Sequence, residues 1–265
     1  MRDPSVHVGY LDKCFSLAGK TAALAGAGGL LVGEMARNMA QAGINVALLD
    51  IDEEATERLR VEIETDGGQA LMVRTDVTKK ADWASSLDEV VDRYGTVEIL
   101  VNGAGANSPT PYFDISEEEW DRILRVQLTG TMFGCQIFGK YMIEQGRGSI
   151  INISSASSGP PLSKAFTYSV AKAGIKNLTQ NLAREWATDG VRVNAIRPGF
   201  FPSEFMKEHF LTKERIAAIL NHTPMKRFGE ARELVGAVLW LASDASTFVT
   251  GAEIAVDGGF TAMSI

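Results

Sequence analysis

Short, almost wholly apolar runs alternate with longer amphipathic stretches along nearly the entire chain. A strand covered on both faces needs a continuous apolar run, while a covering helix needs apolar positions three and four apart. The pattern predicts strands at about residues 21–24, 45–49, 70–75, 99–102, 149–153, 191–196 and 253–256, with helices filling the intervals. Such alternation builds an α/β domain, a doubly wound parallel sheet with helices on both faces. No repeat, low-complexity tract or Pro/Ser-rich linker interrupts it. A single domain over residues 17–265 is therefore expected, preceded by an arm at residues 1–16.

The helical stretches at 117–145 and 166–188 carry more apolar positions than one contact with a sheet requires. Each can pack on a second subunit, or simply thicken a monomer core. The segment 200–228 breaks the alternation and is rich in Phe, Met and charge, including Phe200, Phe201, Phe205, His209 and Arg215. A long irregular segment of that kind, with one short helix expected inside it, suits a substrate lid.

Composition narrows the function. The chain has 265 residues, is 45% hydrophobic and carries a formal charge of -7. That balance offers no basic field for a nucleic-acid backbone, so a small-molecule substrate is expected instead. Cys14 and Cys135 are far apart and lack metal-ligand spacing, and His7, His209 and His222 are scattered. Neither a disulfide framework nor a metal site is expected. No apolar run has the length of a membrane span and the first residues lack a signal-peptide core, which points to a cytoplasmic protein.

Candidate chemistry lies at the predicted strand ends. After the first strand come Gly26, Gly28, Gly29 and Gly33, leading into a helix that begins near Leu30 and Leu31. Backbone amides at such a turn, with a helix dipole behind them, can receive a pyrophosphate, although a purely structural glycine turn fits as well. Asp50 ends the second strand, where a carboxylate can accept both ribose hydroxyls of an adenosine and repel a 2′-phosphate. It can equally cap the next helix. Arg197 ends the sixth strand and is placed either to meet a substrate carboxylate or to pair with a surface acid. Tyr168 and Lys172 stand four apart on a predicted helix, so a phenol and an ammonium share one face. A cation held there lowers the phenol pKa. Upstream, Ser154 and Ser155 end the fifth strand.

The order strand, Ser155, loop, Tyr168 and Lys172, strand, Pro198-Gly199 resembles that of the short-chain dehydrogenase/reductase family, from about Leu17 to about Phe260. The family's serine lies thirteen residues before its tyrosine, which selects Ser155 over Ser154. The resemblance implies that Tyr168 exchanges a proton with a carbonyl or alcohol, that Ser155 fixes the reacting oxygen, and that Lys172 tunes Tyr168 and holds the nicotinamide ribose. It further implies adenine contacts from Asp76 and Val77, backbone contacts from Asn102, Ala104 and Gly105, and nicotinamide contacts from Pro198, Gly199 and Ser203. Many members are dimers or tetramers built through the two long helices, so a homo-oligomer is expected. The closest likeness is to the branch with fructuronate reductases and gluconate 5-dehydrogenases.

Several positions depart from the family pattern, Ala25 and Ser203 standing where members have Thr. Leu30 and Val32 replace two glycines of the phosphate loop, Gly103 replaces the second Asn of an Asn-Asn-Ala-Gly element, and Gln127 replaces an Asn that supports a proton-relay water. The expected function is an NAD(H)-dependent oxidoreductase interconverting a secondary alcohol and a ketone on a sugar acid, polyol or related hydroxy compound. Asn107, Ser108, the 157–162 loop, Arg197 and Phe201 would contact the substrate. Two other readings are a 3-oxoacyl thioester reductase, disfavoured by Asp50, and a non-catalytic subunit with weakened cofactor binding, motivated by Leu30, Val32 and Gln127.

Overall fold

The computed structural model describes residues 5–203 and 211–264. Seven strands form one sheet: β1 (Thr21–Ala25), β2 (Asn45–Asp50), β3 (Gln69–Arg74), β4 (Ile99–Asn102), β5 (Gly148–Ile153), β6 (Val191–Pro198) and β7 (Glu253–Val256). Their order is β3-β2-β1-β4-β5-β6-β7, and every neighbouring pair is parallel. All seven lie where the apolar runs predict them, with ends differing by a residue or two.

Successive side chains of a strand point to opposite faces, and the core divides accordingly. Ala22 and Leu24 of β1, with Val46 and Leu48 of β2, face one apolar layer. Ala23 and Ala25, with Ala47 and Leu49, face the other. The first layer is closed by α2 (Leu30–Gln41), through Met35 and Met39, and by α9 (Val235–Ala242), through Val238 and Leu241. The second is closed by α4 (Lys80–Tyr94) and α6 (Gly130–Glu144), whose Trp83 and Phe138 rings meet edge to face. Two further helices complete the covering layers, α3 (Glu53–Thr65) and α7 (Phe166–Trp186). The chain winds outward from β1 to β3 and then resumes on the other side of β1 with β4. That reversal opens a crevice at the carboxyl ends of β1 and β4, the place where open α/β sheets bind ligands.

Two local features add to the expectations and a third matches them. The arm is helical, α1 (Ser5–Cys14), with Tyr10 and Leu11 exposed. The stretch 117–145 is two helices, α5 (Glu117–Leu124) and α6, joined by a π-helical turn at Arg125–Thr129. Within the expected lid, α8 (Lys213–His222) supplies the short helix, whereas Phe205 and His209 lie outside the described residues.

Two of the departures, Val32 and Gly103, prove to be one feature. A Cβ added at Gly103 would lie 2.3 Å from Cγ2 of Val32. The valine on α2 therefore occupies the space that a side chain after β4 would need, and Gly103 is small because Val32 is not. Gly103→Ala should cost about 1–3 kcal/mol by overpacking, and the cost should largely vanish in a Val32→Ala background. Urea unfolding of the four variants checks this; strictly additive losses would contradict the pairing.

Candidate active site

Gly26 turns the chain off β1 with φ +88°, and a Cβ there would lie 2.6 Å from the Ala104 nitrogen. Only glycine permits both the angle and the close approach of the two loops. Gly29 then precedes the first turn of α2, whose leading amides have no partner within the helix. These loops and the ends of β2 and β3 enclose a cleft of about 650 Å³. Gly26, Gly29, Leu30, Leu31, Asp50, Asp76, Val77, Ala104 and Gly105 all line it, together with Ile153 and Phe201.

The Asp50 carboxylate accepts hydrogen bonds from the Gly28 amide at 2.9 Å and the Asp52 amide at 3.0 Å. It ties the glycine turn to β2, while the capping of α3 falls to Asp52, which accepts from the Ala55 amide. Arg74, paired with Asp50 in register, is held by Glu53 at 3.1 Å. Burial pushes Asp76 upward, but hydrogen bonds from Thr78 and the nearby Lys79 ammonium outweigh it, so its carboxyl titrates below the ordinary range. The Asn102 side chain is buried. Its amide donates to Asn152 at 2.9 Å and Asn152 donates to Thr179, a buried chain of amides linking β4, β5 and α7.

At the end of β5 the chain turns through four buried serines, Ser154, Ser155, Ser157 and Ser158. Pro198 and Gly199 brace this turn and the end of β7, the first by accepting from the Ala156 amide at 3.0 Å, the second by donating to the Val256 carbonyl at 3.0 Å. The Ser155 hydroxyl receives the Ser157 amide and hydroxyl, each at 3.2 Å, and lies close enough to the Tyr168 phenol to lower its pKa. Lys172, one turn further along α7, inserts its Nζ beneath the strand and donates to the Ile153 carbonyl at 2.6 Å. The nitrogen stands 5.5 Å from the centre of the Tyr168 ring. Ser155, Tyr168 and Lys172 are thus brought together, and Ile153 joins them to the cleft.

The electrostatics differ from the expectation. Burial drives the Lys172 ammonium down to about 7, because one carbonyl does not replace its water. Burial likewise raises the Tyr168 phenol, with the Ser155 hydrogen bond pulling it partly back. Burial therefore decides the direction, and the phenol titrates above its ordinary range where helical spacing alone implies a lower one.

Gln127 sits in the π turn and is wholly buried. Its Nε2 donates to the Ala106 carbonyl at 2.7 Å, while its Oε1 has no partner among the described residues. Inserted π turns rotate side chains off the regular helical face, which is how a polar residue comes to lie against Gly105. Asn107 is exposed just beyond, and Ser108 is tied through Thr110 to Glu119. Ser203 ends a described segment. Arg197 needs correcting: its Nη1 pairs with Glu253 at 3.2 Å, so it serves an internal carboxylate. Sequence reading misses Glu253, whose one signal is an acid opening an otherwise apolar strand, and the Ile153 carbonyl, which carries no signal at all.

A family model described as enoyl-(acyl carrier protein) reductase matches residues 32–261. D-threitol dehydrogenase of Mycolicibacterium smegmatis is 33% identical, over 95% of this chain and 96% of its own. Among solved structures, a gluconate 5-dehydrogenase from Burkholderia cenocepacia J2315 in complex with NADP and tartrate superposes with a TM-score of 0.91. It is 32% identical and covers 96% of this chain and 100% of its own. A candidate D-mannonate oxidoreductase from Haemophilus influenza with bound NAD is 36% identical, with a TM-score of 0.87, over 94% of this chain and 97% of its own. The fold, the glycine cleft and these matches along almost the whole length agree: the chain belongs to the short-chain dehydrogenase/reductase family.

Proposed function

We propose that the protein is an NAD(H)-dependent oxidoreductase that interconverts a secondary alcohol and a ketone on a sugar acid, a polyol or a related hydroxy compound. The observation that carries the reading is the meeting of the Ser155 hydroxyl, the Tyr168 phenol and the Lys172 ammonium beside a glycine-walled cleft. A dinucleotide fits that cleft on this chain's own geometry: Gly26 leaves room for backbone approach, α2 presents free amides, and Lys172 has donor capacity that a single carbonyl does not satisfy. The nicotinamide supplies or accepts hydride when bound.

In this reading Tyr168 gives its phenolic proton to the nascent alkoxide during reduction and takes it back during oxidation. Ser155 holds the reacting oxygen, its hydroxyl already oriented by two donors from Ser157. Lys172 holds ribose hydroxyls and, once so partnered, keeps the charge that eases proton transfer at Tyr168. Gln127 anchors the loop after Gly105 through the Ala106 carbonyl. Asp50 presents its carboxylate to the adenosine ribose, and Arg74 beside it is engaged by Glu53, which favours NAD over NADP. The gluconate, mannonate and threitol names of the relatives support a polyhydroxylated substrate. Exposed Phe166 and Val170 on α7, with exposed Tyr112 and Phe113 beside them, support a homo-oligomer joined along that helix.

Tyr168→Phe should lower turnover by about a thousandfold or more while leaving NADH affinity within a few fold, read by steady-state rates and nicotinamide fluorescence. Retained turnover would remove Tyr168 from the proton-transfer role. In parallel titrations the wild type should bind NADH at least about tenfold more tightly than NADPH, and Asp50→Ala should erase most of that margin. Equal affinities in the wild type would overturn the NAD assignment.

A further inference from the structure

Glu253 opens the edge strand β7, and its side chain is only 9% exposed. Its Oε1 accepts the hydroxyls of Ser154 at 2.6 Å and Ser158 at 2.7 Å. Its Oε2 faces Arg197 at 3.2 Å and Lys176 at 3.5 Å. A buried carboxylate is tolerated only when its lone pairs and its charge are both answered, and here two serines and two cations do so.

The two serines are the outer residues of the turn that carries Ser155. Its ends are pinned by the backbone as well, since the Ser154 amide donates to the Ile196 carbonyl at 2.8 Å and the Ser158 amide to the Ser155 carbonyl at 2.9 Å. Backbone bonds from Ser154 and Ala156 tie the first half of the turn to β6, whereas the Ser158 amide bonds only within the turn. One carboxylate oxygen gripping both flanking hydroxyls ties the far end to β7 and joins it to the near one. A hydroxyl meant to hold a reacting oxygen must keep its direction, because small misplacements are costly in rate.

We infer that Glu253 is a positioning residue that acts on Ser155 through Ser154 and Ser158, with Arg197 and Lys176 holding the carboxylate charged and in place. The inference rests on the reading that Ser155 orients the reacting oxygen. It assigns Ser154 a structural partner of its own and gives Arg197 a task other than substrate binding. It also extends the site to β7, a strand that lies outside the Ser155, Tyr168 and Lys172 set.

The test removes the two hydroxyls and leaves the carboxylate with its cations. In Ser154→Ala/Ser158→Ala, amide hydrogen exchange at residues 156–158 should quicken by about tenfold or more relative to the amides of β1 and β4, while NADH affinity stays close to wild type and the melting temperature falls by the few degrees that two hydrogen bonds lost from a buried carboxylate cost. Unchanged exchange overturns the inference whether or not a substrate is in hand. With D-gluconate and NAD as the assay pair, kcat should fall about tenfold with KM within about twofold. Ser155→Ala is the reference: if it loses turnover and the double variant does not, the role of Glu253 is overturned while the reading of Ser155 stands. If Ser155→Ala itself keeps full turnover, the reading beneath the inference fails.

Discussion

The arrangement at this site depends on one poorly compensated charge. Lys172 reaches from α7 to the underside of β5 and meets a single carbonyl, that of Ile153, at 2.6 Å. Burial strips that nitrogen of water, so its proton is held weakly, with a pKa of about 7. An ammonium that has given up its water in this way gains from any oxygen brought close to it. The side of the cleft where Ile153 stands is open to such oxygens. In the proposed reading, binding a polyhydroxylated cofactor and charging the lysine are therefore one event, and the charge then acts on the phenol beside it.

The rest of the fold keeps this lysine and its neighbours in register. Parallel pairing of β5 with β4 and β6 brings Ile153, Ser155 and the Pro198 carbonyl to one edge of the sheet. The buried chain Asn102–Asn152–Thr179 fastens α7 to the same strands, which limits how far Lys172 can drift. On the nucleotide side, Asp50 performs a structural task by gripping the Gly28 amide, and the same carboxylate borders the cleft. Position and chemistry are thus supplied by the same few contacts.

The sheet was readable because its strands are short and almost wholly apolar, and because β1 and β2 alternate their side chains between two layers. The pair on α7 was readable because four-residue spacing on a helix fixes a shared face. Other positions resisted for physical reasons. Val32 looked like damage to a glycine loop, since its partner Gly103 is distant in sequence and only the folded chain shows that one fills the other's space. Gln127 was ambiguous because a π turn carries no periodic signature, and the same turn brings its amide inward. Arg197 stays open between a ligand and an acid of the chain in the sequence, because its strand end is legible and its neighbour on β7 is not. The phenol pKa was misjudged because spacing reports proximity, whereas burial decides how much charge the lysine carries.

The claim that Lys172 is charged by cofactor binding makes a direct thermodynamic demand. A group whose pKa rises from about 7 on binding must take up a proton at pH values above 7 and little below it. Calorimetric titration with NADH at pH 8, in two buffers of different ionisation enthalpy, measures that proton count. The account predicts uptake approaching one proton at pH 8, much less at pH 6, and none at either pH in Lys172→Met. NADH binding at pH 8 with no uptake, or with proton release, would contradict it.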